Sequence, residues 1–178
     1  MINETLKFLK TQINDYLKVK TGLNNNKLNY LDTNKIDPVT FEQDQITLVL
    51  LHIEEERKTK KYPPPPRLPD VHLYLYLLFI CRFQDYEEGA KFLSLVIQFF
   101  QSNPFFDRQS FPTLGQGLDL LVPDMVAMPL IPKNEIWDLL KTSYLPSVLY
   151  KVRQVNFVQT SSTKVPTVKK LLAEPKKI

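Results

Sequence analysis

Apolar residues recur at three- and four-residue steps at the start of the chain: Ile2, Leu6, Leu9, Ile13, Tyr16 and Leu17. That period predicts an amphipathic helix, packed on a sheet or docked on a partner. Glu4 near its start and Lys18 and Lys20 near its end suit the helix dipole. Gly22 stands where a C′ residue would stop it. Residues 24–45 are polar and irregular, with short strands expected near residues 28–31 and 39–41. The apolar run at residues 46–53 predicts an inner strand. It leaves into Glu54, Glu55, Glu56, Arg57, Lys58, Lys60 and Lys61, which read as a solvated strand end or as a charged docking loop. YPPPPRLPD at residues 62–70 excludes helix and central strand and favours a stiff polyproline connector.

The densest apolar content lies at residues 71–102. Its first part alternates without a polar face: Val71, Leu73, Leu75, Leu77, Phe79 and Cys81 against His72, Tyr74, Tyr76, Leu78 and Ile80. A strand apolar on both sides is covered on both sides. Asp85 as N-cap with Glu88 three residues on opens a helix, and Asn103-Pro104 ends it. Tyr86, Gly89, Ala90, Leu93, Val96, Ile97 and Phe100 form its main face, extended by Phe92, Leu95 and Phe99. The resulting apolar arc is roughly 220° wide, against the ~100° that covers one sheet face. The surplus stripe Phe92, Leu95 and Phe99 needs a cover, either the N-terminal helix or a partner subunit.

Residues 105–116 read as a loop, with Gly115 and Gly117 around Gln116. Residues 118–130 are broken by Pro123 and Pro129, which allows at most an edge or bulged strand. Pro132 starts a short helix with Ile136, Trp137, Leu139 and Leu140 inward. Residues 145–159 form the last strand, with Val148, Tyr150 and Val152 on one face and Lys151 and Arg153 on the other. The fold class that follows is α/β in the α+β sense: a mixed or antiparallel central sheet with flanking helices. One domain spans residues 1–159, and a basic arm spans 160–178, flexible until assembled.

Composition narrows the chemistry. With 178 residues and 43% hydrophobic content the chain supports one real core. Its four glycines form no phosphate-binding run, so a P-loop or dinucleotide fingerprint is absent. One cysteine, Cys81, cannot form an internal disulfide. His52, His72 and Cys81 lack metal-ligand spacing, so neither a metal nor a cofactor is expected. Glu54 and Glu56 share a strand face without a positioned catalytic partner, so an enzyme is not expected. The arm holds five lysines against Glu174, which accounts for the whole formal charge of +4 and leaves the body neutral. A nucleic-acid binder would carry a basic face on its body. No apolar run is long enough for a membrane span, and the N-terminus lacks the apolar core of a secretory signal.

Five stretches carry a resemblance: TLKFLKTQIN from Thr5, IEEER from Ile53, DYEEGAKFLSLVIQFFQ from Asp85, PTLGQGLD from Pro112 and YLPSVLYKVR from Tyr144. They are similar to the small cap, or tail-terminator, proteins of contractile injection systems, phage-tail-like particles of the virulence-cassette and antifeeding-prophage kind. The likeness covers most of residues 1–159 in register. It implies a fold like that of phage tail terminators and a sixfold ring on the end of the inner tube and contractile sheath. That ring would stop growth and cap the particle. The implied partners are further copies of the chain, the tube protein and the sheath protein, with no nucleic acid and no membrane insertion. Assembly would take place in the bacterial cytoplasm. The family brings no catalytic residues. The candidate interface residues are Lys151, Arg153, Phe92, Leu95, Phe99, Arg57, Lys58, Lys164, Lys169 and Lys170. The arm, or a free sheet edge beside it, is expected to pair with a neighbouring subunit by strand addition. The alternative is a tail-completion or interaction domain of a phage-like or type VI-like assembly that does no capping. The chain departs from the family pattern at Lys141-Thr142-Ser143, where a glycine-containing turn is expected, and in the proline-broken VPDMVAMPLIP stretch.

Overall fold

A computed structural model describes residues 2–32, 39–56, 72–115, 117–127 and 130–155. Arg57, Lys58, the proline run and the arm with Lys164, Lys169 and Lys170 lie outside the described residues. The elements run α1 (Ile2–Thr21), β1 (Leu28–Tyr30), β2 (Gln45–Glu55), β3 (His72–Arg82), α2 (Tyr86–Ser102), β4 (Phe106–Asp107), β5 (Leu120–Met125), α3 (Leu130–Leu139) and β6 (Ser147–Val155). The sheet order is β1-β2-β3-β6-β5-β4. β1 runs parallel to β2, and every other neighbouring pair is antiparallel. The expected α+β class with a mixed sheet is what the chain adopts.

The main core lies between one sheet face and the helices α1 and α2. Leu75, Leu77 and Phe79 of β3 and Val148, Tyr150 and Val152 of β6 meet Leu9, Ile13 and Leu17 of α1 and Val96 and Phe100 of α2. Phe100 sits 4.1 Å from Tyr150 and 5.6 Å from Phe79, ring centroid to ring centroid. Such pairs add roughly 0.5–1.5 kcal/mol beyond the area they bury. Among the described residues the opposite face is covered at one end. There Val39, Phe41, Trp137 and Leu140 close over Val49, Leu78, Ile80 and Leu149.

α2 begins as its sequence dictates, with the Asp85 carboxylate accepting from the Glu87 N–H at 3.0 Å. Its buried face is turned from the expected one. Gly89, Phe92, Leu95, Val96, Phe99 and Phe100 are inside, whereas Tyr86 is 73% exposed and Ala90 is exposed. The cause is α1, which lies against the Leu95–Phe99 side and brings Tyr16 to 5.5 Å from Phe99. Phe92, Leu95 and Phe99 are therefore buried within the subunit, and the expectation that they form an interface is corrected. Leu139, expected inward, is 77% exposed, because Trp137 and Leu140 take the buried side of α3. β4, two residues within the expected loop, exists through its pairing with Leu120 and Leu121. The loop after it presses onto α1: a Cβ on Gly115 would lie 2.7 Å from the Cβ of Glu4.

Two hydrogen-bonded side chains fasten α1 to the sheet. Thr5 Oγ1 donates to the buried Gln154 Oε1 of β6 at 2.6 Å. Asn14, 3% exposed, reaches the β1 margin. Its Oδ1 accepts from the N–H groups of Lys27 and Leu28, and its Nδ2 donates to the Leu28 and Lys10 carbonyls, all at 2.9–3.0 Å. At the far margin, Val126 N–H donates to the Leu149 carbonyl. Hydrogen bonding alternates along antiparallel strands, so the backbone nitrogen of Pro123 faces away from β6. Proline is tolerated at that outward position because no ladder bond is lost.

α3 ends in a left-handed residue, Lys141, at φ 51°. Lys141 N–H donates to the Asp138 carbonyl and Thr142 N–H to the Trp137 carbonyl, the pair of bonds that defines a Schellman stop. The glycine expected at this turn is thus replaced by a lysine that adopts the glycine conformation. An L-residue there costs roughly 1–2 kcal/mol. Lys141→Gly is expected to raise stability by about 0.5–1 kcal/mol, read as a higher urea midpoint at unchanged slope.

Candidate functional site

The half of the second sheet face that no described residue covers carries a ladder of charged and aromatic side chains. Pairing sets it up. Tyr74 lies opposite Glu54 on one side and Arg153 on the other; Tyr76 lies opposite His52 and Lys151. β2 shifts register between Leu50 and His52, and this irregularity brings His52 and Glu54 into line with Tyr76 and Tyr74. Without it, alternation from Val49 would turn them to the helix-covered face.

Two linked clusters result. Tyr76 Oη donates to Glu54 Oε2 at 2.6 Å, and Lys151 Nζ donates to the same oxygen at 3.1 Å. The Lys151 ammonium also lies 3.9 Å from the Tyr74 ring centroid and 5.2 Å from that of Tyr76, a cation–π arrangement. In the second cluster, Arg153 Nη2 donates to Glu56 Oε2 at 2.9 Å, and Tyr74 Oη donates to Glu56 Oε1 at 3.1 Å. His72, 8% exposed, places Nδ1 3.1 Å from Glu56 Oε2 and 3.3 Å from Arg153 Nη2. Tyr74 joins the clusters, with its ring under Lys151 and its hydroxyl on Glu56. An open depression of about 550 Å³, lined by His52, Ile53, Glu54, Glu55, Glu56 and Tyr74, lies along β2.

The charges tune one another. The Tyr76 hydroxyl and then Lys151 hold the Glu54 carboxyl below the usual range, and Arg153 does the same for Glu56. In return the Tyr76 hydroxyl and Glu54 raise Lys151, and Glu56 raises Arg153. Such a surface is polar, charge-balanced and rigidly paired, which suits recognition by shape and polarity. Among the described residues no group of acidic, histidine or cysteine side chains is placed to hold a metal. Burial pushes the Cys81 thiol up to about 12, which leaves it a poor nucleophile at neutral pH.

Lys151 and Arg153 stand where the alternation of the last strand placed them, on the face away from the helices. Glu54 and Glu56 depart from expectation: they are partners of these cations rather than a merely solvated strand end. β3 likewise departs at Tyr74 and Tyr76, where the second face is polar rather than covered. Sequence reasoning missed the ladder, although its signal was present as Glu-x-Glu, Tyr-x-Tyr and Lys-x-Arg on three strands.

A mixed sheet covered by two helices on one face and, among the described residues, half open on the other defines an α+β domain. The Pvc16 N-terminal domain family matches residues 4–170, and the chain belongs to that family. Among solved structures, the chain is similar to the sheath/tube terminator of an extracellular contractile injection system of the PVC kind, determined by cryo-EM in the extended state. The TM-score is 0.55 at 18% identity; the likeness covers 100% of this chain and 65% of that one. No curated protein matches the chain. Among the described residues no helix is long and apolar enough to cross a membrane.

Both ladder carboxyls titrate below the ordinary glutamate value of about 4.3, so their stabilisation is complete above that pH and is lost as pH falls through the folded-state values. The double variant Glu54→Gln/Glu56→Gln is expected to melt below the parent at pH 7, and the gap should narrow progressively below about pH 4. A gap that stays constant down to pH 3 would count against the ladder.

Proposed function

We propose that this chain is a tail terminator of a contractile injection system. It forms a ring on the end of the inner tube and sheath, ends their growth and stabilises the particle. Membership of the Pvc16 N-terminal domain family carries this reading, and the likeness in fold to a sheath/tube terminator supports it. The chain spans 65% of that neighbour's length, so the role assigned is that of the domain it shares.

The partners in this reading are further copies of the chain, in a sixfold ring, and the tube and sheath proteins. Assembly takes place in the bacterial cytoplasm. The charged ladder with Lys151 and Arg153 forms part of the contact surface, since its side chains are already paired with one another before any partner arrives. A preordered polar surface loses less conformational entropy on docking. Arg57 and Lys58 beyond β2, and Lys164, Lys169 and Lys170 in the arm, add positive charge for a neighbouring subunit. The role needs no catalytic step and no cofactor.

Deleting the gene tests the role. Tubes and sheaths of uncontrolled length, with unstable ends, are expected by electron microscopy. Tails of unchanged, uniform length with intact ends would exclude a terminator and favour a completion factor. Removing residues 160–178 alone is expected to leave the fold intact and to reduce incorporation into particles, read by immunoblot of purified particles.

A further inference from the structure

Asn14 does more than fasten a helix. In the parallel pairing of β1 with β2, the Lys27 carbonyl accepts from Ile46 N–H and Leu31 N–H donates to the Leu48 carbonyl. These two bonds fix the alternation along β1: the Lys27 carbonyl, the main-chain groups of Asn29 and the Leu31 N–H face β2, so the groups of Leu28 and Tyr30 point outward, away from the sheet. An outward N–H and C=O at a sheet margin are a template for another strand. The Asn14 amide takes both from Leu28, as a strand partner would. At the second outward position, Lys10 holds its ammonium 4.5 Å from the Tyr30 ring centroid and sets a charge beside the margin.

The choice of residue is informative. Ile13 and Leu17 flank Asn14 on the buried face of α1, where an apolar side chain would satisfy the helix pattern. Asparagine is also a weaker helix former. A buried amide is tolerated only when its donors and acceptors are used. All four hydrogen-bonding positions of Asn14 are used, and three of the four bonds go to the end of β1. At the opposite margin the outward position of β5 beyond Leu121 holds Pro123, which has no N–H to offer.

We propose that Asn14 is an edge guard: it withholds the β1 edge from strand addition by a second copy of this chain. In a protein that ends a polymer, a closed edge prevents one ring from seeding the next. That meaning rests on the terminator reading; the guard itself is a property of the isolated chain.

The purified full chain tests it by light scattering across a concentration series, below the melting temperature of each variant. Asn14→Leu is expected to shift the weight-average mass above the wild-type value, increasingly with concentration, and to bind thioflavin T. Adding Tyr30→Pro, which removes one of the two outward N–H groups left open once Asn14 is gone and costs no ladder bond, is expected to bring the mass back toward the wild-type value. A folded Asn14→Leu chain with the wild-type mass would overturn the proposal, as would growth that Tyr30→Pro leaves unchanged. If Asn14→Leu does not fold, Asn14→Asp decides: it keeps the acceptor for Leu28 N–H and loses the donor to the Leu28 carbonyl. A smaller shift in mass is then expected, and no shift overturns the proposal. These outcomes are independent of tail length, so the guard and the terminator role can fail separately.

Discussion

A sheet with apolar side chains on both faces must have both faces covered, and among the described residues the helices cover one face and part of the other. α1 and α2 close the first face completely around Leu77, Phe79 and Tyr150. α3 and the residues around Val39 close only the part of the second face that holds Leu78, Ile80 and Leu149. Beyond that limit the residues change character. Tyr74, Tyr76, Lys151 and Arg153 replace aliphatic side chains, and Glu54 and Glu56 complete them. The uncovered half is thereby wettable and still ordered. Everything attributed to this surface follows from that shortage of cover.

The same constraint explains α2. A helix with an apolar arc wider than a sheet face can be buried in more than one orientation, and the arc alone does not choose. α1 chooses, by lying on the Phe99 side and leaving Tyr86 outside. Because Asn14 fixes α1 to the β1 margin and Thr5 fixes it to the inner strand β6, the orientation of α2 depends on two buried polar side chains as well as on the apolar contacts.

Much of this was legible in the sequence. The periods of α1 and α2, the alternation of β3 and β6, the Asp85 cap and the Gly22 stop are local signals, and each corresponds to an observed element. What escaped was nonlocal. β4 exists only through Leu120 and Leu121. Glu54 and Lys151 lie 97 positions apart, and their meeting depends on a register shift at Leu50 that no residue type announces. Asn14 did leave a mark, a polar residue on an apolar stripe, yet its partner at Leu28 is visible only once β1 has docked. The arm and the proline run were read from composition and lie outside the described residues.

The terminator role proposed for this Pvc16 N-terminal domain is a matter of position, at one end of the particle. Particles assembled with an epitope-tagged copy and labelled with gold conjugates give the most direct measurement. Label confined to one end of the tube and sheath is the result the account predicts. Label distributed along the sheath, or particles complete and capped without any label, would contradict it.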